Sequence, residues 1–305
     1  MNELSIDPVF AVGAGLLPEG REIIFAARQS GIHRSLDLGA TWSPVWAEGL
    51  SASIAVSPDL SVDGLVIAGV EGGVIRSEDA GSTWRFHSFA CPRSLVASLS
   101  ITSDWGRSGL ILAGTAEDGL YRSPDRGKTW LASNTGAYIS RITAVHVHDG
   151  SSCLAGTDCG LFVSTNAGKT WDDRTGESID VEVSAVSGDD DIRLIGTESA
   201  GIVAWDTRYR KWTYFPQSHP NEETVAIAII GKVNCQKEII AITSTMIQSY
   251  CLEKAETGTV IDLVNTTPFA VPAVCAAIFH TDTVSQALIG GMTGDVLLMP
   301  LCPSR

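Results

Sequence analysis

Seven short apolar runs, each closing on small or apolar residues, recur along the chain: IIFAA (23–27), LVIAG (65–69), LILAG (110–114), CLAG (153–156), LIG (194–196), EIIAI (238–242) and ALIGG (287–291). Their last residues are 40 to 49 positions apart. Upstream of each lies a second run, in order VFAVGAG, SASIAVS, VASLSIT, ITAVHVH, VEVSAVS, TVAIAII and AVCAAIF. These segments alternate apolar with polar or run almost continuously apolar, as strands buried on both faces do. A period of this size marks an array built from one supersecondary unit.

A polar sentence follows the apolar pair. It reads GIHRSLDLGATW (31–42), GVIRSEDAGSTW (73–84), GLYRSPDRGKTW (119–130) and GLFVSTNAGKTW (160–171), with a worn fifth copy, GIVAWDTRYRKW (201–212). Its closing tryptophans return every 41 to 46 residues. Within it, Ser and Asp side chains accept hydrogen bonds from nearby backbone N–H groups and hold a tight turn. The Gly predicts a backbone with positive φ, and the Trp needs a neighbouring unit to pack against. The unit is therefore inner strand, second strand, third strand, stapled turn, outer strand. That is a four-stranded propeller blade.

Counting both features predicts an all-β, seven-bladed β-propeller of antiparallel blades in a single domain over 1–305. The blades fall at about 8–48, 49–92, 93–137, 138–178, 179–220, 221–268 and 269–305 plus 1–7. The seventh unit has no room for an outer strand before Arg305, so the N-terminal segment Glu3–Ile6 is expected to complete that blade and close the ring. Blade six, Lys237–Leu263, carries no copy of the turn, and MIQSYCLEK fills its third-strand position.

The turn residues carry a resemblance. Ser35, Asp37, Gly39 and Trp42, then Ser77, Asp79, Gly81 and Trp84, then Ser123, Asp125, Gly127 and Trp130 are full matches to the pattern of the bacterial-neuraminidase-repeat, or Asp-box, proteins. Ser164, Asn166, Gly168 and Trp171 form a fourth copy with Asn in the Asp position. The chain resembles that group, which includes sialidases, sortilin-type receptors, some glycoside hydrolases and photosystem II assembly-factor propellers. The resemblance implies a propeller whose boxes are structural turns lying away from the binding face. It is nearest in kind to the non-catalytic seven-bladed members. The sialidase set of three arginines, a Tyr–Glu pair and an Asp is not found; Tyr138 with Arg141 is the nearest approach to it.

Charge narrows the function. Acidic residues number 35 against 21 basic, a formal net charge of −14. Nucleic acid and anionic membrane demand a basic footprint and are not expected partners. No apolar run approaches the ~20 residues of a membrane span. The seven cysteines form no CxxC pair, and Met1–Asp7 reads as no signal peptide, so the expected compartment is the cytoplasm.

The hairpins between second and third strands bear Glu71, Glu117, Asp118, Asp158, Glu198 and Asp295, expected to form an acidic rim on one face, bordered by Arg93 and Arg141. Such a rim suits a protein or peptide partner of basic character. His146 and His148 lie two apart on one strand without a third ligand, so no metal and no cofactor is assigned. Arg34, Arg76 and Arg122 recur beside the turn serine and are read as structural, pairing with acids or capping carbonyls between blades. The reading is a non-catalytic scaffold or assembly-factor-like module. The alternative is a carbohydrate-binding or glycoside-hydrolase-like propeller, which needs two suitably spaced carboxylates.

Overall fold

A computed structural model describes residues 6–90, 93–133, 141–173, 181–215, 222–233, 236–255, 258–280 and 285–301. The strands form seven separate antiparallel sheets, six of four strands and a last one of three. Each sheet runs in sequence order from the axis outward, and the first strands contact one another around the ring. The protein is a seven-bladed β-propeller. Among the described residues there is one short helix, Leu60–Asp63, between the first two strands of blade two.

Glu3 to Ser5 lie outside the described residues, and the last sheet contains Ala273–His280, Ser285–Gly291 and Val296–Leu301. Asp7 reaches this blade, with its carbonyl oxygen beside Gly294 at the start of the third strand. The Cys275 thiol donates to the Val9 carbonyl (3.4 Å), joining blade seven to blade one.

The hydrophobic interior is divided into seven wedges, one between each pair of neighbouring blades. The repeated tryptophans serve these wedges as expected. Trp84 packs with Ile23 and Phe25 of blade one, and Trp171 with Leu110 and Leu112 of blade three. Trp42 joins Cys275 and Leu288 of blade seven, so the same packing closes the ring.

The small second-strand doublets have a specific task. A Cβ at Gly114 would lie 2.5 Å from the Ile142 side chain, and at Gly156 2.6 Å from that of Val183. The glycine lets the next blade's first strand press against the second strand of its neighbour. Small residues at the crowded centre therefore set the spacing of the blades.

A further device lies at the start of the first strands. In all seven blades the pairing register slips by one residue there, at Phe10, Ala52, Ala97, Thr143, Ser184, Val225 and Val274. These are β-bulges, which bend a strand and sharpen its twist. Two of the bulged hydroxyls bridge to the next blade: Thr143 donates to the Val183 carbonyl, and Ser184 to the Thr224 carbonyl (2.8 Å).

The repeated turn is built as its residues dictate. Ser123 Oγ donates to Asp125 Oδ1 (2.9 Å) and accepts from the Gly127 N–H (2.7 Å). Asp125 accepts from the Thr129 N–H (2.8 Å) and the Thr129 hydroxyl (2.6 Å). Both Arg126 (φ 62°) and Gly127 (φ 78°) are left-handed, and the pair recurs at Leu38–Gly39, Ala80–Gly81 and Ala167–Gly168. In the fourth copy the polarity reverses without losing the bond, since the Asn166 amide donates to the Thr170 hydroxyl (2.8 Å). Arg34 donates to the Ala80 carbonyl of the next blade's turn (3.1 Å), and Arg76 to the Arg126 carbonyl (3.0 Å).

Around Asp125, burial raises the carboxyl's pKa, but the hydrogen bonds from Thr129, Ser123 and Lys128 outweigh it and hold it below the usual carboxylate range. The folded state therefore favours the carboxylate. Its contribution is full above the unfolded pKa and lost as pH falls through the folded one. Asp125→Ala should destabilise the protein by about 1–2 kcal/mol at pH 7. In denaturant titrations the difference from the parent should shrink below about pH 4. A difference that persists unchanged at pH 2 would rule out the carboxylate as its source.

Candidate functional site at the channel mouth

The two faces of the ring differ in what they carry. On the lower face, the repeated turns dock on loops between first and second strands, with Ala80, Arg126 and Ala167 donating backbone N–H groups to Gly64, Gly109 and Ser151. On the upper face lie the hairpins between second and third strands and the entrances to the first strands. There the Gly72 N–H bonds to Ser94 O (2.9 Å), Glu198 N–H to Glu182 O (3.2 Å) and Ser244 N–H to Glu223 O (3.1 Å). Glu71, Glu117, Asp118, Asp158, Glu198, Asp295 and Arg93 are all exposed on the segments of this upper face. Two of the acids are engaged locally, Asp118 by the Tyr121 hydroxyl and Asp295 by the Thr293 hydroxyl (2.5 Å).

The channel opens at the same face. It encloses about 590 Å³ and is walled by the first strands, with Ala11, Ala97, Ala144, Ala226 and Ala276 among the residues that keep it open. Its mouth carries Arg141, Glu182 and Glu223. These occupy one structural position, the residue just before the first strand, in blades four, five and six. Arg141 Nη2 pairs with Glu182 Oε1 (3.2 Å), while Thr243 binds the carboxylate of Glu222 (2.7 Å).

Glu223 faces a concentration of like charge. Partial loss of water around it, then the Glu198 and Glu182 carboxylates, raise its pKa above the usual range. The sequence reading singled out Glu198 and Arg141 but missed Glu182 and Glu223. The signal was present, because Arg141, Glu182 and Glu223 are spaced by the repeat's own 41 residues.

The lower face has a cavity of about 350 Å³ bordered by His146, His148, Asp189 and Lys237. Desolvation drives the His146 imidazole down to about 4, and its Nε2 meets the Gly188 carbonyl at 3.0 Å. His148 Nε2 stands 3.8 Å from Asp190. Among the described residues, no three His, Cys, Asp or Glu side chains are grouped to hold a metal ion. No helix among them is long and apolar enough to cross a membrane.

No protein-family profile and no curated protein matches the sequence. Solved structures do match in shape. U3-55K superposes with a TM-score of 0.74 at 10% identity, covering 97% of this chain and 96% of that one. The RRP9 WD40 repeats give 0.74 at 10% identity over 98% and 95% of the two chains. The likeness is one of fold. An ancestral GH74 enzyme matches with a TM-score of 0.71 at 13% identity, covering 94% of this chain but 44% of the enzyme. WD40 repeats and an enzyme thus share this architecture, and the site's chemistry has to decide the function.

Proposed function

We propose that this protein is a non-catalytic propeller of the Asp-box type that binds a protein or peptide of basic character at the upper mouth of its channel. The observation that carries the reading is the convergence of Glu182, Glu198 and Glu223 on one mouth, where Arg141 pairs with Glu182. A concave mouth with surplus negative charge attracts cations and steers a basic partner's approach. The similarity in shape to the RRP9 WD40 repeats and to a chain of a mitotic checkpoint complex, the latter with a TM-score of 0.71 at 11% identity, is consistent with this class of work.

The test is an affinity capture from host lysate at low and moderate salt, comparing the parent with the double variant Glu182→Lys, Glu223→Lys. Basic proteins retained by the parent should fall by about tenfold with the variant and with added salt. Equal capture by both proteins would remove the mouth from the binding surface. Hydrolysis of a glycoside by the parent, abolished by Glu223→Gln, would replace the scaffold reading with an enzymatic one.

A further inference from the structure

Blade six departs from its neighbours in one respect that the channel mouth does not explain. Its third and fourth strands, Met246–Ala255 and Gly258–Pro268, contain 10 and 11 residues. Among the described residues, the outer strands of blades one to five contain between 2 and 4, and those of blades one, two and five, which end within the described residues, contain 4 each. Gly258–Pro268 ends its sheet, and no strand among the described residues pairs with its outer side. Short edges, edge lysines and prolines are the usual guards against pairing with another chain. This edge has no lysine, is rich in β-branched residues and carries proline only at its last position; a β-bulge at Val264 leaves 258–263 as its regular stretch. Val260 and Val264 are exposed along it.

The same sheet presents a row of acids. Glu238, Cys251 and Asp262 are register partners across three strands, and Glu253 pairs with Val260 next to them. Glu238 is 5% exposed, yet its buried Oε1 has no hydrogen-bond partner. The Cys251 thiol lies within the field of all three carboxylates. Glu253 and Asp262 are exposed at the outer margin of this row, and their negative charge suits a cationic occupant beside the edge.

We propose that the Gly258–Pro268 edge takes up an extended basic segment of another protein as a fifth strand of blade six, with lysine or arginine side chains laid over the Asp262 row. An added strand lies about 5 Å beyond the edge, which puts Asp262 within reach of such side chains. A second copy of this chain is the poorer occupant. Pairing two edges would set Asp262 and Glu253 of both copies together on molecules that each carry a net charge of −14.

The experiment uses fluorescence anisotropy with a labelled peptide of alternating lysine and valine, its glutamate–valine counterpart, and a lysine–valine version N-methylated at every amide, which leaves neither edge a donor. The lysine peptide should bind, and Asp262→Lys should weaken it by about tenfold. The N-methylated and acidic peptides should not bind. In the Glu182→Lys, Glu223→Lys background, which removes the channel mouth's contribution, lysine-peptide binding should persist in part, and that part should be the one Asp262→Lys weakens. Binding that survives N-methylation would overturn strand addition, and equal binding of the acidic peptide would overturn the charge argument. Failure of the lysine peptide to bind the parent also overturns the proposal. So does a parent dimer in sedimentation that Asp262→Lys alters, since the occupant is then a second copy. The peptide arms need no variant, so they stand even if a substitution disturbs the fold.

Discussion

Replacing Gly114 by valine is expected to cost about 3 kcal/mol or more, because overpacking at a rigid backbone contact lies at the severe end of single substitutions. A Cβ at this position would stand 2.4 Å from Ser98 Oγ, 2.5 Å from Ile142 Cγ2 and 2.9 Å from Ile142 Cβ. The Ile142 Cβ cannot swing aside, since it is fixed to the first strand of blade four. Valine adds two more carbons in the same gap. The blades must separate, and separation opens the wedge that holds Leu112, Ile142 and Ala155.

At 2–4 °C per kcal/mol for chains of this general size, the melting temperature should fall by about 6–12 °C. Thermal unfolding followed by circular dichroism measures it. The same result is expected at Gly156 and Gly196, whose added Cβ atoms would meet Val183 and Thr224 at 2.6 and 2.5 Å. By contrast, Gly20→Ala, where no atom lies within 4 Å, meets no steric conflict with its neighbours; its φ of +73° leaves a backbone cost alone. An unchanged melting temperature for Gly114→Val would mean that the blades are not held at this spacing.

Lys237→Met is expected to produce the second-largest loss, about 2 kcal/mol at pH 7. Lys237 stands in the second strand of blade six with 6% of its side chain exposed. Its ammonium binds Asp189 and Asp191 (3.0 Å to the latter), both on the loop between the first two strands of blade five. The pair of bonds therefore clamps two blades together. Methionine keeps most of the side chain's apolar contact but leaves two carboxylates close together without their cation. Asp189 and Asp191 keep 22% and 44% of their side chains exposed, so water takes up part of the penalty.

Burial works against the lysine's charge, but the hydrogen bonds and charges of Asp189 and Asp191 outweigh it and raise its pKa. A raised pKa means a contribution that is full below the unfolded lysine value, near 10.4, and lost as pH rises through the folded one. The gap between parent and variant should hold from pH 6 to pH 9 in urea titrations and close only in stronger alkali. A gap that vanished by pH 8 would assign the loss to packing or to another titrating group.

Much of the architecture is legible along the chain. The doublets and the turn sentence state the number of blades, the order of strands in each, and that each tryptophan packs against a neighbouring blade; which neighbour it is comes from the structure. The Ser123–Asp125–Gly127–Thr129 bonds all close within six residues, so residue identity alone decides them. Alternating apolar positions specify strands equally locally, because side chains on a strand change face at every residue. The acidic residues of the upper hairpins are placed by the same logic, in five of the seven repeats.

Other features depend on contacts that join residues far apart. The bulge at the start of every first strand leaves no mark in composition, since Phe10, Ala52, Thr143 and Val274 share no chemistry. The Lys237 clamp joins residues 46 and 48 positions apart. Glu182 and Glu223 read as ordinary residues before a strand until the ring brings blades four to six around one mouth. The bare edge of blade six becomes visible only when its strand lengths are compared with those of its neighbours. The sequence by itself determined the repeating unit and its turns, because their bonds are short-range. The tertiary structure alone decided which charges meet, because closing the ring is what brings residues of different blades within a few ångströms.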